Sequence, residues 1–422
     1  MLNIKDTYVR EHLLDGNFGL EKESIRVLED GSISHTLHPF KDDPNIVKDF
    51  CESQTEINTG VHKSAQGAVD ELYYHTRRIY ERLKELPERE YLWPFSNPPY
   101  IKNEDDIPIA VYEGALSSKA EYRKYLSEKY GRYRMTFSGI HVNFSFADDL
   151  IEASFKSQSE IDDPGEYKDR IYLDLARRLA TYSWLLVSVT AASPVLDSSF
   201  FEKGVYDGDV FTGMASVRCS EMGYWNDFAP IFDYSDTVSY ADSIQRYVDR
   251  GFLKAPSELY YPVRLKPPGQ NNLDSLRAKG VNHIELRMFD LNPLVREGVD
   301  VRDIEFAHLM MVWLASTPYQ PLPDKDQVHA VANFKNSAHY DLKTVKIITH
   351  DGEPLSMVDA AQNVIRFMRE FYETLGIDKG GILDFEKAKF DDADNRYARK
   401  IRRDFSPGFA KKALALAKKR QA

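Results

Sequence analysis

Four short segments place acidic, imidazole, amide or guanidinium groups two residues apart: Glu21 and Glu23; Glu52, Gln54 and Glu56; His141 and Asn143; Glu285 and Arg287. If each segment is a β-strand, alternation puts each set on one face. A half-buried strand ordinarily carries apolar groups there. Any one pair alone reads more simply as a solvent-facing strand, and His141 alone as a hydrogen-bonded core histidine. The four together admit a second reading. If the faces converge, like carboxylates about 4 Å apart repel by about 4 kcal/mol at an effective dielectric of about 20, and the cluster needs cations. Oxygen ligands with one imidazole suit Mg²⁺ or Mn²⁺ better than zinc. Such ions beside an arginine are the parts of a phosphoryl-transfer site.

Two further segments carry cations among aromatics. Ser216 to Tyr224 joins Arg218 to Tyr224, and arginine is the usual bidentate clamp for carboxylate or phosphate. A surface ion pair would use the same residue. Glu258 to Lys266 sets Tyr260 and Tyr261 before Arg264 and Lys266, with core packing as the alternative role for the tyrosines. No GxxxxGK[ST] loop is present, and Ser198-Ser199 lacks a GxSxG setting.

Hydrophobic and turn patterns place these residues. Residues 1–15 read as a leader helix, Phe18 to Val27 as a strand and Asp49 to Thr59 as a second strand. A long helix follows Gly60, with Ala65, Val69, Leu72, Ile79, Leu83 and Leu86 on its apolar face, ending before Pro87. Residues 94–108 read as a loop, Glu121 to Tyr130 as a helix, Thr136 to Phe146 as a strand, and 147–167 as a polar loop. Tyr167 to Ser193 reads as a core helix. Its most apolar stretch, Trp184 to Val189, falls short of the roughly 20 residues that span a bilayer. Residues 197–270 read as irregular, Asn282 to Asp290 as a strand, and about 301–316, 357–376 and 406–420 as helices. Strands and helices do not alternate regularly, which predicts an α+β fold. The 422 residues can bury a large core, and the net charge of -11 argues against a nucleic-acid partner. Cys51 and Cys219 suggest neither a disulfide framework nor a zinc site, and fit a reducing cytoplasm. The charged N-terminus lacks the apolar run of a signal peptide.

The segments FGLEKESIRV, KDFCESQTEINTG, MTFSGIHVNFSF, SPVLDSSF, SVRCSEMGY, YYPVRLKP and HIELRMFDLNP resemble, in this order, those of bacterial glutamate–cysteine ligases, over about residues 15–300. The resemblance implies a glutamine-synthetase-like fold, in which a curved, mainly antiparallel sheet forms a funnel with helices outside. It implies one catalytic domain over 1–422, with a helical part from about 301. ATP would phosphorylate the γ-carboxylate of glutamate, and the amine of cysteine would displace phosphate, giving γ-glutamylcysteine. Carried over by motif, Glu21, Glu23, Asp49, Glu56, His141 and Glu285 would hold two or three Mg²⁺ or Mn²⁺ ions. Asp49 has the wrong parity for Glu56, so the strand should start or bulge near it. Arg287, Arg218 and Glu285 would serve the reacting groups. Phe50, Tyr122, Leu126, Tyr224 and Tyr260 would line the acceptor pocket, and Arg264 and Lys266 would meet nucleotide phosphates. Lys48, Met135 and Val142 depart from the family's usual threonine, polar residue and tyrosine. These departures leave open a different amine acceptor, and a glutamate- or nucleotide-binding sensor is the non-enzymatic alternative. The expected partners are glutamate, cysteine and ATP, with no nucleic acid or membrane, in a cytoplasmic monomer. The glycine-adding step of glutathione synthesis is expected to lie elsewhere.

Overall fold

A computed structural model of the chain describes all residues except 113–116, 159, 202–207, 224 and 319–322. An antiparallel sheet runs in the order β2 (Ile46–Lys48), β3 (Gln54–Asn58), β1 (Gly16–Leu28), β5 (Gly139–Phe146), β9 (His283–Asp290), β8 (Val263–Lys266). β4 (Glu90–Leu92) pairs with the far end of β1. Two small ladders stand apart: β6 (Leu196–Asp197) with β7 (Asp209–Val210), and β10 (Lys346–Ile348) with β11 (Pro354–Ser356). The helices are α1 (Thr7–Glu11), α2 (Ala65–Lys84), α3 (Ser117–Tyr130), α4 (Asp148–Lys156), α5 (Pro164–Thr190), α6 (Thr237–Asp249) and α7 (Leu273–Lys279). They continue with α8 (Val301–Ser316), α9 (Asp324–Ser337), α10 (Met357–Thr374), α11 (Gly380–Asp391), α12 (Tyr397–Phe405) and α13 (Phe409–Gln421).

Alternation sorts the two faces of the sheet. Leu20, Ile57, Val142, Phe144, Ile284 and Leu286 point to one side and join Leu72 of α2, Leu175 of α5 and Leu309 of α8 in the main core. α5 is amphipathic in its first half and buried all round from Ser183 to Thr190, and it packs against β8, β9, α8 and α9. Asp163 caps its N-terminus through the Glu166 N–H, and Pro164 occupies the first turn. A second core gathers Phe50, Cys51, Trp93, Leu126, Met135 and Phe409. No helix among the described residues is long and apolar enough to cross a membrane.

The α+β architecture is as expected, but the elements differ from the reading above in several places: α7, α9, α11, α12 and the β10–β11 ladder were not anticipated. The leader helix is only Thr7–Glu11. The loop at 147–167 contains α4, and the irregular stretch 197–270 contains α6 and β8. The strand from Asp49 to Thr59 is broken by a turn at Glu52-Ser53, so that β2 and β3 form a hairpin.

Candidate active site

Register assembles the polar face. Glu21 lies opposite His141, Glu23 opposite Glu56, Asn143 opposite Glu285, and Glu285 opposite Arg264. Directly opposed residues of antiparallel strands share a face. Alternation adds Arg287 and Lys266 to it. The hairpin resolves the parity of Asp49: Lys48 pairs with Thr55, and the Asp49 N–H donates to Gln54 O at 3.3 Å. The chain reverses, so Asp49 opposes Gln54 and faces the same way as Glu56 without a bulge. Glu52, expected on that face, leaves it. Its buried carboxylate accepts the N–H groups of His38 and Val111, both at 2.8 Å, and the Lys48 ammonium at 3.0 Å. A true bulge sits on β9. Ile140 pairs with Phe289 but Val142 with Leu286, so an extra residue at Arg287–Met288 stands opposite His141.

The face is graded in charge. At its acidic end, Glu23, Asp49 and Glu56 crowd together. Burial, then Asp49, Glu21 and Glu23, push the Glu56 carboxyl up to about 8. Burial and Asp49 also raise Glu23, whose Oε2 accepts the Gly139 N–H at 2.9 Å. At the basic end, Lys266 Nζ lies 3.2 Å from Glu285 Oε1, and Arg287 Nε 4.0 Å from Oε2. Burial opposes ionisation of Glu285, yet Arg287, Lys266 and His141 hold it well below the usual carboxylate range. His141 stands between the ends, its Nδ1 2.9 Å from Glu21 Oε2 and 3.4 Å from Glu285 Oε1. Burial and Arg287 press its pKa down, but the hydrogen bonds to both carboxylates raise it to about 9.

These residues fit divalent cations. Glu21, His141 and Glu285 each offer a ligand atom within 4.8 Å of the others. Glu285 is buried, and its Oε2 accepts no hydrogen bond from the described residues. Carboxylates driven toward protonation by one another are what a hard cation relieves. The basic end suits an anion. Arg218 is buried beside it, donating to Arg287 O at 2.8 Å and lying 4.0 Å from Asp290. Its guanidinium rests on Gly139, where a Cβ would come within 2.2 Å of Nη2. His141, Arg218, Trp225, Tyr260 and Arg287 border a cavity at this end, and Asp49, Glu56, Tyr112 and Arg123 border a cleft at the other.

A family model described as glutamate-cysteine ligase matches residues 1–252 and 229–337. The chain belongs to this family. The bifunctional glutathione biosynthesis protein GshAB of Listeria monocytogenes is 34% identical over 384 residues, covering 88% of this chain and 49% of that protein. The same-named protein of Clostridium perfringens is 34% identical over 389 residues, with the same two shares. The chain thus spans about half the length of the curated relatives it matches. Among solved structures, a bifunctional glutathione synthetase from Pasteurella multocida superposes with a TM-score of 0.86 at 26% identity, covering 100% of this chain and 54% of that one. The glutamate–cysteine ligase of Francisella tularensis, in complex with AMP, gives 0.84 at 22% identity, covering 96% and 88%, and shares the fold.

The polar face lies wholly within the part matched to the glutamate–cysteine ligase family. So does the set expected to receive the acceptor. Phe50 and Leu126 are buried together with Met135 in the second core, and Tyr122 and Tyr260 are half-buried at its edge. Tyr224 lies outside the described residues. Arg264 shares the polar face but donates to the carbonyls of Leu259 and Ser257. Cys51 is buried, its thiol pushed up to about 12 by burial. Residue-by-residue reading missed Arg123, whose Nη2 lies 2.9 Å from Asp49 Oδ1. The clue was its place on α3 between Tyr122 and Leu126. It also missed Glu258 and Asn226, buried polar groups next to the aromatics.

Proposed function

We propose that this chain is an ATP-dependent ligase joining the γ-carboxylate of glutamate to the amine of cysteine. The observation that carries the reading is the single sheet face with a carboxylate end, a basic end and His141 between them. Glu21, Glu23, Asp49, Glu56, His141 and Glu285 would hold two or three Mg²⁺ or Mn²⁺ ions, which when bound would neutralise phosphate oxygens. A γ-carboxylate oxygen attacks the γ-phosphorus of ATP and ADP departs. The amine nitrogen then attacks the acyl carbon, phosphate leaves with the bonding pair, and the amine proton passes to solvent. Arg287 and Arg218 would lie against the oxygens that gain charge in both steps, where a fixed guanidinium acts most strongly. Phe50, Tyr122, Leu126, Tyr224 and Tyr260 would wall the acceptor, and Lys266 and Arg264 would serve the nucleotide end.

Met135 favours a second reading, a different amine acceptor, because it packs with Phe50 and Leu126 where the family usually has a polar residue. An apolar wall separates acceptors differing by one methylene by only about 1–3 kcal/mol. ADP release from Mg-ATP and glutamate, with cysteine or other amines added singly, tests both. Release that depends on cysteine supports the first reading. Release with another amine moves the acceptor, and release with none favours a silent binder of glutamate or nucleotide.

A further inference from the structure

Two segments bordering the aromatic end of the site, α3 and residues 254–260, meet at one carboxylate, and a third joins through the backbone carbonyl of the same residue. Glu258 is fully buried. Its Oε1 accepts the Lys129 ammonium at 2.6 Å and the hydroxyls of Tyr130 at 2.8 Å and Tyr125 at 3.2 Å, all from α3. Its Oε2 accepts the Lys254 N–H. Asn226 closes the network, donating to Tyr130 Oη at 3.1 Å and Glu258 O at 2.9 Å and accepting the Tyr260 N–H at 2.9 Å. The Tyr130 and Tyr260 rings stand edge to face at 5.3 Å. Ser257 Oγ donates to Tyr122 Oη at 3.1 Å.

A buried charge is expensive unless paired and hydrogen-bonded, and an apolar replacement of such a pair is often neutral or stabilising. Packing alone therefore does not require a carboxylate here. What the network supplies is directed spacing: α3, Asn226 and the 254–260 segment are each tied to Glu258 by bonds of fixed length and angle. We infer that Glu258 is a positioning residue for the acceptor amine, setting the gap between Tyr122 and Leu126 on α3 and Tyr260 opposite them. This rests on the functional reading above, which takes those side chains as the acceptor's walls.

In Glu258→Gln, one oxygen becomes an NH₂ that must face the Lys254 N–H or the Lys129 ammonium, and the walls loosen. The acceptor KM should rise about fivefold or more, while the KM values of glutamate and ATP stay within about twofold. Tyr130→Phe deletes one hydroxyl from the same network and should move the acceptor KM in the same direction by less. If Glu258→Gln does not fold, Tyr130→Phe decides alone. An unchanged acceptor KM, or equal losses for all three substrates, overturns the inference. Wild-type protein assayed alongside separates the two claims: no amine-dependent ADP release from it would sink the functional reading and this inference with it, whereas an active wild type with indifferent variants would sink the inference alone.

Discussion

Glu56 and Gly139 show how single residues set the site. The Glu56 carboxyl is lifted to about 8 by burial and by Asp49, Glu21 and Glu23, so without metal it is driven toward the neutral form that glutamine imitates. Glu56→Gln should therefore leave the metal-free melting temperature within about 2 °C, shrink the stabilisation gained on adding Mg²⁺, and cut turnover by about a hundredfold or more. Melts with and without Mg²⁺, beside ADP release, check this. A sharply lower metal-free melting temperature would mean that donors hold Glu56 rather than that carboxylates oppose it. Gly139 gives the complementary case. Its backbone N–H reaches Glu23, and an added Cβ would fall within 2.2 Å of the Arg218 guanidinium. Gly139→Ala should displace Arg218, lowering stability by about 1–3 kcal/mol and turnover by about tenfold or more. Unchanged turnover would remove Arg218 from the chemistry.

At the scale of elements, the β2–β3 hairpin brings Asp49 beside Glu56, and Glu52 pins its turn. Glutamine at position 52 can accept from His38 or Val111 through one oxygen, but not from both through two. The N–H left unpaired costs about 1–3 kcal/mol where it is that of buried His38, and less where it is that of exposed Val111. Glu52→Gln should lose about that much stability in urea unfolding and raise the Mg²⁺ concentration needed for half-maximal turnover, because the edge carrying Asp49 loosens. Full stability with unchanged Mg²⁺ demand would show that the turn stands without Glu52. This hairpin also marks the limit of reading from sequence. The two-residue spacing in β1, β5 and β9 revealed which side chains share a face, because parity is local. Residues 49–53 contain no glycine or proline, so nothing announced the reversal. The pairing of Glu21 with His141, and of Asn143 with Glu285, depends on register between strands more than a hundred residues apart, which no local pattern contains. α4 was missed because Asp148, Asp149 and Glu152 dominate its composition, while Leu150 and Ile151 carry its short buried face. α6 was missed because its buried positions include Thr237, Tyr240 and Ser243.

For the molecule as a whole, the polar face depends on the core behind it, and one joint in that core is sensitive to acid. His308 of α8 packs against both Phe18 of β1 and Phe144 of β5, with ring centroids at 5.0 and 4.9 Å, and so links the helical layer to the two central strands. Burial, aided by Lys379, lowers its pKa to about 3. The folded value lies below the unfolded one of about 6.5, so the unfolded chain binds the extra proton. This contribution is complete above about pH 6.5 and is lost at about 1.4 kcal/mol per pH unit as the pH falls toward the folded value. His308→Phe keeps a ring against Phe18 and Phe144 and removes the titration. At pH 7.5 the variant and wild type should unfold within about 1.5 kcal/mol of each other. At pH 5 the balance should have shifted by about 2 kcal/mol in favour of the variant. Urea midpoints at the two pH values measure the shift. If the difference between the proteins is the same at both, the imidazole is solvated or paired in the folded state, and the acid limit of the fold lies in some other group.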